Sequence, residues 1–91
     1  MLPAIRDWEA NGKRSVRQIR TGSLTHACSG RASLQVVDGA PWLEVENAVG
    51  QHVNLCLIER RPIEVDGVGY AVREMRARPG EETAAFRLVR L

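Results

Sequence analysis

A small antiparallel β-barrel or sandwich of about six strands, with a short N-terminal helix, is predicted for this chain of 91 residues. Three observations predict it. Asp38-Gly39 and Asp66-Gly67 each stand between β-prone runs, and a type I′ hairpin turn needs positive φ at both central positions. Pro79-Gly80 fits a type II reversal, with proline at its second position and glycine at its third. Between these turns fall short runs rich in Val, Ile and Leu, spaced as in an all-β meander.

The elements follow in chain order. Pro3 to Ala10 reads as a short helix, since proline suits a first turn and Asn11-Gly12 is a natural stop. Ile5 and Trp8 would share one of its faces. Ser15 to Arg20 fits a helical turn, a strand or a mobile arm. Thr21 to Arg31 has the small polar composition of a loop, so 13–31 as a whole reads as a basic loop or arm. Residues 32–91 hold the meander. Ser33–Val37 and Trp42–Glu46 form the first hairpin, with Trp42, Glu44 and Glu46 on one face and Leu43 and Val45 on the other. In His52–Ile58, Val53, Leu55 and Leu57 alternate against His52, Asn54 and Cys56, the pattern of a half-buried strand. Ile63–Val65 and Val68–Arg73 flank Asp66-Gly67. Ala84–Leu91 closes the chain, apolar on both faces and therefore expected in a central or contacted position.

The length fits a single domain, 1–91, with one core. Aromatic residues number only four (Trp8, Trp42, Tyr70 and Phe86), so that core rests on aliphatic side chains. The longest apolar run is Leu55-Cys56-Leu57-Ile58, far short of the roughly 20 residues that span a bilayer. Arg6 and Asp7 interrupt the N-terminus before a signal-peptide core develops, so no membrane partner and a cytoplasmic setting are expected. That setting disfavours a disulfide between Cys28 and Cys56. The net charge of +2 is unevenly spread: six basic and two acidic residues in 1–31, four acidic and no basic in 32–59, seven basic and five acidic in 60–91. Such a bipolar map suits contacts with oppositely charged surfaces, including neighbouring copies.

Four residues, His26, Cys28, His52 and Cys56, are all the histidine and cysteine the chain has. They form two pairs, as zinc ligands can. Neither pair has the C-x₂₋₄-C form of a structural site, and Cys56 lies in an apolar run. Buried thiols and surface imidazoles are therefore the preferred reading, with no metal and no cofactor. Ser23, Ser29 and Ser33 lie near His26 without a nucleophile-elbow pattern. Glu44 and Glu46 share a strand face, which is read as solvated rather than as a glycosidase pair. P-loop, dinucleotide and HExxH motifs do not occur, and the chain is expected not to be an enzyme. Lys13, Arg14, Arg17 and Arg20 are the candidate partner-facing residues. They are expected outside the core, where replacing the arginines by glutamate would leave the fold intact. A nucleic-acid partner, or an inhibitory barrel acting through Arg14, Arg17 and Arg20, stands as the alternative function. The aromatic residues that would stack bases are not interleaved with them.

The last third carries a resemblance. Ile63-Glu64-Val65, Asp66-Gly67, Tyr70-Ala71-Val72, Pro79-Gly80 and Leu88-Val89-Arg90-Leu91 succeed one another as in the small head–tail joining proteins of lambda-type long-tailed bacteriophages. Residues 62–91 resemble that family, and the predicted helix 3–10 is similar to the one that precedes its barrel. Where members often carry a Gly-Asp turn before the hairpin, this chain has Glu59-Arg60-Arg61. The resemblance implies a structural virion-assembly protein, a ring-forming adaptor between the portal-connector and the tail. It implies no catalytic residues.

Overall fold

The computed structural model describes residues 13–76 and 82–91. Among them are eight strands: β1 (Arg14–Ser15), β2 (Gln18–Thr21), β3 (Leu24–Ala27), β4 (Ala32–Val37), β5 (Ala40–Glu46), β6 (Ile63–Val65), β7 (Val68–Arg76) and β8 (Thr83–Arg90). A single-turn 3₁₀ segment, Asn47–Val49, precedes helix α1 (Gln51–Ile58). The strands form one sheet in the order β1-β4-β5-β8-β7-β6-β2-β3, every neighbour antiparallel, curled into a half-barrel. The expected helix 3–10 and the Pro79-Gly80 turn lie outside the described residues.

Both Asp-Gly dipeptides close two-residue hairpins. Val37 pairs with Ala40 and Val65 with Val68. The turn residues have φ of 51° and 77° at Asp38-Gly39, and of 48° and 84° at Asp66-Gly67. Positive φ at both positions winds the turn with the right-handed twist of its strands. The final strand β8 lies centrally, between β5 and β7. It turns Phe86 and Leu88 into the core and leaves Val89 and Leu91 outside.

Two expectations are corrected, and together they change six strands to eight. Of the three readings of Ser15–Arg20 the strand is the one found, and 13–31 as a whole is not a loop or arm. Its first part runs as β1 and β2, and the stretch rich in Ser, Thr and Gly folds back as β3. Gly22, at φ 62°, begins the two-residue turn between β2 and β3, and Ser29-Gly30, at 51° and 79°, reverses the chain before β4. Ser29-Gly30 repeats the left-handed pair of the Asp-Gly turns, whereas at Gly22-Ser23 the glycine alone has positive φ.

The second correction is His52–Ile58, which is helical rather than extended. Strand and helix periodicities both place Val53 and Leu57 inside, so those two positions cannot choose between them. The choice shows at Leu55, which is 53% exposed, and Cys56, which is 4% exposed. Burial at 53, 56 and 57 is the i, i+3, i+4 stripe of a helix. Its end is a Schellman arrangement: Arg60 takes φ 58°, its N–H donates to the Leu57 carbonyl, and the Arg61 N–H donates to the Cys56 carbonyl. Arginine stands where glycine usually does, which removes the customary stop signal.

The core is assembled by alternation. Leu34, Leu43, Val45, Ile63, Val65, Tyr70, Val72, Phe86 and Leu88 point inward from successive strands, and Val53 and Leu57 from α1 join them. Each such Val or Leu contributes about 1.5–3 kcal/mol of burial. The N-terminal segment enters the same cluster through Val16 and Ile19.

At Gly67 an added Cβ would meet no atom within 4 Å, so any penalty of substitution is backbone strain rather than collision. Gly67→Val is expected to lower stability by roughly 1 kcal/mol or more, because β-branched residues resist positive φ. Urea unfolding checks this, and an unchanged midpoint would show that the turn does not constrain the hairpin.

Candidate functional site

The basic candidates lie just before β1 (Lys13), on β1 and β2, and in the bend between them. Val16, fully buried, donates its N–H to the Ala32 carbonyl and so follows β1 onto β4. One residue later the chain changes partners: Ile19 and Arg20 pair with Val65 and Glu64 of β6. β1 and β2 are thus two pieces of one extended segment that touches both flanks of the curled sheet.

Asp66 holds the bend. Its carboxylate accepts the Arg17 N–H at 3.0 Å and the Gln18 N–H at 3.0 Å, and the Arg14 guanidinium reaches it at 3.5 Å. Its own N–H donates to the Gln18 carbonyl at 3.1 Å. Around this carboxylate Arg14, Ser15, Arg17 and Gln18 line an open cleft of about 700 Å³. On the inner side the buried Cys28 thiol is pushed above its ordinary pKa, first by burial and then by the negative charge of Asp66. The thiol is therefore held protonated, a poor nucleophile and a poor metal ligand at neutral pH.

Three of the four basic candidates meet carboxylates of their own chain. Lys13 lies 3.4 Å from Glu44, Arg14 3.5 Å from Asp66, and Arg20 3.6 Å from Glu64, its partner across the β2–β6 ladder. Arg20 also donates to the Gly22 carbonyl at 3.0 Å. The exposed pairs at Lys13 and Arg20 contribute little stability, about 0–1 kcal/mol. None of Arg14, Arg17 and Arg20 belongs to the buried core, as expected, but Arg14 is tied to Asp66. A carboxylate there would face Asp66 across the bend. Arg17 is exposed and touches Asp66 through its backbone, so its guanidinium stays at the surface.

The histidines and cysteines converge in part. His26 on β3 and His52 on α1 face each other with ring centroids 5.5 Å apart and planes tilted by 34°. Thr21, a buried polar residue, places its hydroxyl 3.0 Å from His26 Nε2, and Cys56 Sγ lies 3.7 Å from His52 Nε2. Cys28 Sγ instead lies 3.9 Å from the His26 carbonyl oxygen. Among the described residues no three His, Cys, Asp or Glu side chains are grouped as a metal ion requires. The contact fastens hairpin β2–β3 to α1. Both cysteines are free and buried.

On the outer face of the sheet Trp42, Arg87 and Glu74 stand in one cross-strand row, and the Arg76 guanidinium lies 4.9 Å from the centre of the Trp42 ring. Arg87 reaches Glu74 at 3.9 Å. Glu44, on the outward face of β5 with Trp42, pairs with Lys13 as a surface carboxylate. Sequence reasoning treated Asp66 only as a turn residue. Aspartate in place of the asparagine that equally favours such a turn was the available signal of a second task. The outward positions of Leu55 and Ile58 were hidden by the strand reading.

No helix among the described residues is long and apolar enough to cross a membrane. The chain matches no protein-family model, and neither the curated proteins nor the solved structures give a match.

The histidine–cysteine geometry carries an expected outcome. Melting temperature should be the same with and without a strong chelator, because the His26–His52 contact is made by the rings themselves. A large drop on chelation would mean that a metal joins these side chains in solution.

Proposed function

We propose that this chain is a non-enzymatic assembly protein that works by docking to other proteins, as a head–tail joining adaptor of the long-tailed phage kind. Its partners in this reading are portal-connector and tail proteins, together with copies of itself in a ring. The observation that carries the proposal is the outer surface. Leu55 and Ile58, one turn apart on α1, are both more than half exposed. Leu24 on β3 and Val89 and Leu91 at the end of the chain are exposed as well, the last at 74%. Neighbouring large apolar side chains on a surface, as Leu55 and Ile58 are, mark interaction sites more often than side chains scattered singly do.

The sheet adds a second means of association. β1 and β3 stand at the two ends of the strand order, and an exposed strand edge offers unpaired backbone groups to another chain. β1 and β2 follow each other along the chain and pair with β4 and β6, which curls the sheet into a half-barrel, close to the barrel that the resemblance of residues 62–91 implies. The pairing of Lys13, Arg14 and Arg20 with carboxylates weighs against nucleic acid, because it removes most of a continuous basic surface.

Sedimentation velocity over a range of concentrations tests the reading, with tailless phage heads as the second probe. The expected result is reversible growth into closed oligomers or saturable binding to the heads, weakened by Leu55→Ser with Ile58→Ser while the fold is kept. A chain that stays monomeric, ignores the heads and binds generic DNA or RNA in a salt-sensitive way would overturn it.

A further inference from the structure

We propose that Asp38 is a site of spontaneous isoaspartate formation, and that Asp66, in the same kind of turn, is protected from it. The chemistry needs only an Asp-Gly dipeptide and water. The Gly39 backbone nitrogen attacks Cγ of Asp38 while the carboxyl is protonated. The N–Cγ bond forms and a Cγ–O bond breaks, and that oxygen leaves as water with the carboxyl proton and the amide proton. The resulting cyclic imide then takes up water at one of its two carbonyl carbons. Opening at Cγ restores aspartate. Opening at the main-chain carbonyl carbon turns that carbon into a free carboxylate and routes the chain through Cγ, which is isoaspartate. Glycine favours the attack because it has no Cβ to crowd its nitrogen.

The two Asp-Gly pairs form a matched comparison. Valine precedes each aspartate, and each pair closes a two-residue hairpin with positive φ at both positions. The closing hydrogen bond of such a turn joins the residues on either side of the dipeptide, so it leaves the glycine nitrogen out. A Cβ added at Gly39 or Gly67 would meet no atom within 4 Å, so neither glycine is shielded.

What differs is the aspartate side chain. Asp38 is exposed, as is Gly39 beside it. The Asp66 side chain is only 17% exposed, and its carboxylate accepts the N–H groups of Arg17 and Gln18 at 3.0 Å each. The Arg14 guanidinium reaches it at 3.5 Å. For imide closure Cγ must swing onto the Gly67 nitrogen, and these bonds must break first. Asp38 has none of them to break, because every one belongs to the bend between β1 and β2. Isoaspartate adds one carbon to the backbone of the turn, so the loop no longer matches the register that sets Val37 opposite Ala40. The tip of β4–β5 therefore ages chemically, whereas the carboxylate that fastens the N-terminal segment is spared.

The test is prolonged incubation of the full chain in warm neutral buffer, followed by digestion and mass spectrometry with fragmentation that distinguishes isoaspartate from aspartate. A parallel sample in denaturant gives the rates of the two dipeptides without a fold. In the folded chain isoaspartate should accumulate at Asp38, and at least about tenfold more slowly at Asp66, since hydrogen bonds to a charged group must be lost before closure there. In denaturant the two sites should react at similar rates. Equal rates in the folded chain, faster reaction at Asp66, no isoaspartate at Asp38, or a preference for Asp38 that persists unchanged in denaturant would each overturn the proposal.

Discussion

The carboxylate of Asp66 fastens the N-terminal segment to the rest of the sheet. Between Ser15 and Gln18 the chain leaves one strand partner and takes up another, and at such a crossing backbone donors lose their ladder. Asp66 supplies the missing acceptor to two consecutive N–H groups. Hydrogen bonds to a charged group contribute about 1.5–3 kcal/mol each, more than a neutral ladder bond. The aspartate can reach there because it occupies a left-handed turn position, φ 48°, at the tip of β6–β7. Turn geometry and strand closure are thus set by a single residue. Val16 and Ile19, buried on either side of the bend, depend on the same anchor.

This closure also explains the charge map. A basic front followed by an acidic middle looks, along the chain, like a molecule made to meet its own copies. In the fold one ion pair joins these two stretches, and two more basic residues of the front meet carboxylates of the last third instead. Lys13 faces Glu44, and Arg14 and Arg20 face Asp66 and Glu64. Antiparallel pairing sets Arg20 directly opposite Glu64, and the bend at Arg17 brings Arg14 to Asp66. Arg17 escapes this matching because the bend turns its backbone, not its side chain, toward Asp66.

The hairpins could be read from the sequence because Asp-Gly states a backbone requirement that few other dipeptides meet. Strand faces in β4, β5, β7 and β8 followed from strict alternation. The helix could not be read, since Val53 and Leu57 satisfy both periods and Arg60 occupies a left-handed position without glycine to announce it. Nor could β1 to β3, where the partner switch at Arg17 interrupts the pattern and short strands among Gly and Ser resemble a loop. Of the candidate residues, the spacing of His26, Cys28, His52 and Cys56 gave no hint that the two imidazoles face each other across β3 and α1. Their meeting depends on the helix that the sequence concealed. The basic cluster was visible, whereas its anchoring carboxylate, 49 residues away along the chain from Arg17, was not.

Native-state hydrogen exchange at the amides of Arg17 and Gln18 reports most directly on this anchor. Both residues are exposed, so without a strong acceptor their amides would exchange as fast as those of a surface loop. With Asp66 as acceptor, both should be protected to nearly the level of the β2–β6 ladder, and Asp66→Ala should abolish that protection at the two positions together. Fast exchange at Arg17 and Gln18 in the unaltered protein, or protection that survives Asp66→Ala, would contradict the role given to this carboxylate.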